Sequence, residues 1–141
     1  MKASQLKPLH LDSSIVIPLL SGILGTREDR AHPNNKKAVK FISNARAPLK
    51  ISVAVVAEVL RHAKDEERAA AYLKDRFPPP LPLQASTARR WARLQKRSGR
   101  SMGDNDAWVA ALAYEQGGVV VGHDHAFENR PDLEYEDFLK P

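Results

Sequence analysis

"AWVAALAYEQGGVVVGHD", residues 107–124, places ten residues that are apolar almost all the way round ahead of a glycine pair and a β-branched run. A helix apolar on every side has to be buried on every side. A Val-Val-Val run without alternation reads as a strand covered on both faces, which is the habit of parallel sheets. Gly117 and Gly118 form the turn between them. A buried helix feeding a buried strand is part of a βαβ unit, and the stretch therefore points to an α/β fold.

The same alternation appears elsewhere in the chain. "LHLDSSIVIPLL" (9–20) reads as a short strand ending near Asp12, then a helix capped by Ser13 or Ser14. "LKISVAVVAEVLRHA" (49–63) begins as a β-branched strand and passes into a helix near Val55, and "DLEYEDFL" (132–139) gives a last short strand. "KKAVKFISNA" (36–45), "DEERAAAYLKDRF" (65–77) and "STARRWARLQKRSG" (86–99) are helices, the first burying Ala38, Phe41 and Ile42, the last running from a Ser cap to Gly99. "GTREDRAHPNN" (25–35) reads as loop. The prolines of "FPPPLPLQ" (77–84) stop a helix and lead into a short edge strand. A single domain over 1–141 is expected.

The 141 residues include no cysteine, which excludes disulfides and thiolate metal sites and suits a reducing compartment. No apolar run reaches the ~20 residues of a transmembrane helix, and "MKASQLKPLHLDSS" lacks a signal peptide's apolar core. A cytoplasmic protein with no membrane contact is expected. The net charge of +5 is uneven: residues 1–60 carry nine basic and four acidic side chains, residues 61–100 eleven and four, residues 101–141 two and nine. A basic body with an acidic final third suits a polyanion held near a cluster of carboxylates.

The carboxylates fall at one end of the expected sheet. Asp12 ends the first strand, Glu58 follows the second by about one helical turn, Asp106 opens the buried helix, and Asp124 ends the valine strand. Each has a local reading as well: Asp12 and Asp124 as turn or cap residues, and Asp106 as an acid favoured by the helix dipole. Glu58, alone in "VAVVAEVL", is hard to read as surface. Asp104 and Asn105 read chiefly as the helix cap, and Asp104 is a second candidate beside Asp106. Carboxylates brought together at strand ends repel unless a hard cation such as Mg²⁺ or Mn²⁺ relieves them. Such ions activate water and stabilise the leaving oxygen in phosphodiester hydrolysis.

The chain resembles the PIN-domain family and, within it, the small ribonuclease toxins of the VapC type. "LDSSIVI" (11–17) is similar to the family's first-strand motif, "ISVAVVAEVLRHA" (51–63) to its second, and "NDAWVAALAYEQGGVVVGHDHAFE" (105–128) to its third. The resemblance spans about residues 9 to 139. It implies a three-layer α/β/α fold with a central, mainly parallel, short-stranded sheet. It also implies an endoribonuclease dependent on Mg²⁺ or Mn²⁺, with Asp12, Glu58, Asp106 and Asp124 as catalytic and metal-binding residues. Asp12 and Asp106 would be the main ligands, and Ser13 or Ser14 would hold a ligand carboxylate in its rotamer. The family usually acts as a toxin silenced by a cognate antitoxin protein, and usually forms a homodimer. The chain departs from the pattern at Gly122, where relatives often carry Thr or Ser.

Other features have competing readings. His123 and His125 stand at strand spacing and offer two zinc ligands, without an evident third. His10, His32 and His62 read as packed or solvated. Arg89, Arg93, Arg97 and Arg100 make a basic helix face beside Trp91 and Leu94, open to solvent, RNA or an acidic antitoxin segment. Trp91 and Trp108 read as core. A non-catalytic RNA-binding module and a Mg²⁺-dependent phosphatase are the alternative functions. The phosphatase lacks a phosphate-cradling glycine loop.

Overall fold

The protein was analysed as a computed structural model that describes residues 6–97 and 102–140. Four strands, β1 (Leu9–Leu11), β2 (Leu49–Lys50), β3 (Val119–Gly122) and β4 (Glu134–Asp137), form one sheet in the order β2-β1-β3-β4. Every pairing is parallel, with Leu11 opposite Val121 and Gly122 opposite Asp137. The helices are α1 (Ser13–Leu24), α2 (Arg27–Ala31), α3 (Pro33–Asn44), α4 (Val53–His62), α5 (Glu66–Arg76), α6 (Ala85–Arg97) and α7 (Asp104–Gln116).

α1 packs on β3 and α7 on β1 and β3, while α3 lies against α1 and α6 against α7, giving the three-layer α/β/α arrangement. α7 approaches the sheet closely because Ala107, Ala110, Ala111 and Ala113 are its buried contacts, joined by Val109 and Leu112. Leu11, Ile15, Val16, Val55, Val59, Val120, Val121 and Phe127 complete the core. The turn into β3 requires glycine: Gly117 and Gly118 have φ of 71° and 126°, and a Cβ on Gly118 would stand 2.3 Å from the Pro8 carbonyl oxygen.

Several expectations are corrected. Residues 25–35 are not loop: Thr26 and Asp29 exchange the two hydrogen bonds of a capping box, starting α2, and Pro33 at the first turn starts α3. α1 is capped by Asp12, whose side chain accepts from the Ser14 amide, rather than by a serine. β2 is only two residues long because Ser52 caps α4 from the Val55 amide, turning the β-branched run helical two residues earlier than expected. The Pro-rich segment contributes a single parallel bridge, Leu81 to Ser52, rather than a strand. α6 starts at Ala85, ahead of Ser86, where the Thr87 hydroxyl accepts from the Gln84 amide. Its expected Gly99 end and Arg100 lie outside the described residues, as does the Arg97 side chain.

The inner side of α6 fastens the start of α7. The Trp91 indole donates to the Asp104 carbonyl (3.1 Å), Gln95 bonds both ways with the Met102 backbone, and the Trp91 and Trp108 rings stack at 5.4 Å. Arg89 and Arg93 are exposed, and Arg90 lies over the Tyr114 ring. Among the described residues no helix is long and apolar enough to cross a membrane.

Candidate active site

The carboxylates meet at one end of the sheet because the paired strands β1 and β3 stop there and α7 starts there. Asp12 leaves β1, its amide held by the Val121 carbonyl of the neighbouring strand (2.9 Å). It is 1% exposed. Asp124 follows β3; its carboxylate caps a short 3₁₀ turn (His125–Phe127) by accepting from the Ala126 amide at 2.9 Å. Its own amide donates to the Tyr135 hydroxyl at 3.0 Å. Asp106 enters from the first turn of α7, which the α6 contacts hold in place. Asp12, Asp106 and Asp124 each offer a carboxylate oxygen within 4.8 Å of the others.

Glu58 is near this trio but not part of it. It is half-buried on α4, and its Oε2 accepts from the Asn105 carboxamide at 3.0 Å. Its charge still acts on Asp12 and Asp106. Asn105 is the residue the sequence reading misassigned: the cap of α7 is Gly103, with no side-chain hydrogen bond, and Asn105 instead holds Glu58. Asp104 is exposed on the first turn and stands outside the trio.

Burial and mutual repulsion shape the electrostatics. Burial raises the Asp12 carboxyl above its ordinary value, with Asp124 and Glu58 adding repulsion, while hydrogen bonds from Ser14 pull the other way. Asp106 is pushed up to about 8, first by burial, then by the charges of Asp12 and Asp124 and a hydrogen bond with Asp124. Burial likewise pushes Tyr135 up to about 12, so its hydroxyl stays protonated beside Asp124. Clustered carboxyls of which two, Asp12 and Asp106, resist ionisation are the condition that a bound cation reverses.

The donor set fits a hard divalent ion. All three groups are oxygen donors, which suits Mg²⁺ or Mn²⁺ over a thiophilic metal. The Asp12 Oδ1 atom is buried without a hydrogen-bond partner, an expensive state for a carboxylate oxygen unless a cation satisfies it. The two histidines of the zinc alternative go to different partners: His123 Nδ1 bonds the Asp137 carboxylate (2.9 Å), whereas His125 is almost fully exposed and faces Glu128.

Ser14 and Gly122 close one side of the site. The Ser14 hydroxyl lies 2.5 Å from Asp12 Oδ2 and accepts from the His123 amide at 2.8 Å. A Cβ on Gly122 would fall 2.5 Å from that hydroxyl and 3.0 Å from the Asp12 Cβ. Ser13, the other candidate, is buried and makes no side-chain bond to Asp12 among the described residues.

Comparison with known proteins agrees with this architecture. A family model described as "PIN domain" matches residues 10–133. The curated protein "Ribonuclease VapC1" of Haemophilus influenzae is 27% identical over 142 residues, covering 92% of this chain and 97% of the relative. Among solved structures, the VapBC-1 complex of nontypeable Haemophilus influenzae aligns with a TM-score of 0.65 at 21% identity, covering 94% of this chain and 99% of its own. FitAcB of Neisseria gonorrhoeae aligns with a TM-score of 0.66 at 19% identity, covering 92% and 97%.

Proposed function

The chain belongs to the PIN domain family, and from that membership we propose that it is a divalent-metal-dependent endoribonuclease, the toxin of a cytoplasmic toxin–antitoxin pair. The observation that carries the reading is the gathering of Asp12, Asp106 and Asp124 oxygens within 4.8 Å, together with an Asp12 Oδ1 that is buried without a hydrogen-bond partner. Support comes from a curated relative named as a ribonuclease and from structural neighbours that are toxin–antitoxin complexes. The silencing partner is therefore a protein antitoxin, and the substrate is RNA.

In this reading Asp12, Asp106 and Asp124 hold Mg²⁺ or Mn²⁺ as ligands. Bound there, the ion would lower the pKa of a water and offset charge on the leaving oxygen of a phosphodiester. The chain's own residues fix the geometry. Ser14 and the Val121 carbonyl orient Asp12, and the Tyr135 hydroxyl and the Ala126 amide fix Asp124. Asn105 holds Glu58 beside the trio, where its carboxylate would complete the site directly or through water. The surplus of basic residues over residues 1–100 attracts the RNA backbone towards the acidic centre.

The test is cleavage of total RNA by purified, antitoxin-free protein with Mg²⁺ or Mn²⁺, with EDTA, and with Asp12→Ala. Cutting that needs the metal and is lost in the variant is expected. A folded, metal-loaded protein that binds RNA without cutting any RNA in the pool would replace the nuclease with a binding module.

A further inference from the structure

Resting on the nuclease reading, we propose that Ser14 and Gly122 act together as a positioning pair that makes Asp12 a one-oxygen ligand, binding the metal through Oδ1 alone. The Ser14 hydroxyl has a single proton. Its oxygen receives the His123 N–H at 2.8 Å, so that proton points to Asp12 Oδ2, 2.5 Å away. Oδ2 also receives the Ser14 N–H at 3.2 Å. With two donors on Oδ2, that atom is committed to the protein and stays an acceptor. Oδ1 is buried and partnerless, the atom left for a cation.

Gly122 makes this possible. A side chain there would start 2.5 Å from the Ser14 oxygen and 3.3 Å from Asp12 Oδ2. Both distances lie on the Oδ2 side, so position 122 and the Ser14 hydroxyl compete for one space. Only one of the two can bring a group to it. The hydroxyl is thus supplied from α1, and the bare backbone of β3 is the counterpart that admits it. Partners that orient a ligand carboxylate are typically worth roughly 10–100-fold in metal affinity.

The experiment measures Mn²⁺ dissociation constants by titration calorimetry and electron paramagnetic resonance on wild type, Ser14→Ala, Ser14→Thr, Gly122→Ser and the double variant Ser14→Ala/Gly122→Ser. Circular dichroism confirms that each is folded. Ser14→Ala is expected to weaken Mn²⁺ roughly tenfold or more, and Ser14→Thr, which keeps the hydroxyl, to restore it. Gly122→Ser is expected to weaken binding although it adds a polar group. The double variant, with room for the new hydroxyl, is expected to bind several-fold more tightly than either single change. Ser14→Ala binding Mn²⁺ within twofold of wild type overturns the positioning pair and leaves the nuclease reading standing. A crystal structure with Mn²⁺ bound through Asp12 Oδ2 overturns the oxygen assignment directly. Wild-type protein that binds no Mn²⁺ overturns the nuclease reading and the pair with it. Should Gly122→Ser not fold, Ser14→Ala and its Thr rescue decide the matter alone.

Discussion

Replacing Asp106 by asparagine should make the metal-free protein more stable at pH 8, although it removes a proposed ligand. The native carboxyl is pushed up to about 8 by burial and by Asp12 and Asp124, whereas the unfolded chain ionises it near ~4. Between those values the native state keeps a proton that the unfolded state has released, so stability falls as pH rises through that window. The full displacement would correspond to about 5 kcal/mol. Asp106 is half-buried, and solvent screening leaves about half of that, ~2 kcal/mol. For a domain of this size the gain reads as a melting temperature higher by roughly 5–10 °C. Thermal and urea unfolding in EDTA, from pH 4 to 8, measures it. The gap should be widest at pH 8 and close towards pH 4, where both proteins carry a neutral group. With excess Mn²⁺ the order should reverse, because wild type gains about 2.7 kcal/mol at a hundredfold excess over its dissociation constant. A variant no more stable than wild type at pH 8, or a gap that ignores pH, refutes the account.

Two further outcomes follow from the packing around the site. Phe127→Ala, at a fully buried ring 5.5 Å from Tyr135 and three residues after Asp124, should cost about 3–5 kcal/mol in urea unfolding; a loss below about 1 kcal/mol would mean the turn carrying Asp124 is held by other contacts. Asn105→Ala should reduce RNA cleavage several-fold with little change in stability, and Asn105→Asp should reduce it further, because a carboxylate then faces Glu58 across the 3.0 Å contact. Wild-type activity in both variants would show that Glu58 does not depend on that donor.

Much of this was legible in the sequence, for identifiable reasons. The valine strand and the Ala-rich helix before it could be read because burial on all sides leaves a composition with no polar face, and both stand as expected. Asp12 and Asp124 could be placed together because parallel strands end on one side of a sheet, and Asp106 because it opens the helix at that end. Residues 27–31 could not, since a five-residue helix holds no apolar period and rests on its Thr26–Asp29 box. Asn105 was misread because an Asx beside a helix start resembles a cap; its bond to Glu58 spans 47 residues of sequence and leaves no local trace. The zinc reading of His123 and His125 failed for a related reason. Spacing along a strand places two side chains on one face only while the strand lasts, and β3 ends at Gly122.

The strand order has a consequence in time. β1 is made first, but its neighbour β3 and the Val121 carbonyl that holds the Asp12 amide are made near the other end of the sequence, and Ser14 meets His123 across 109 residues. A chain still emerging from the ribosome therefore carries Asp12 and Glu58 without Asp106 or Asp124, and cannot assemble the carboxylate trio. On the proposed reading as a toxin, the connectivity itself postpones the hazard to the cell. The carboxylate trio is complete only once β3 lies beside β1, which no part of the chain made earlier can bring about.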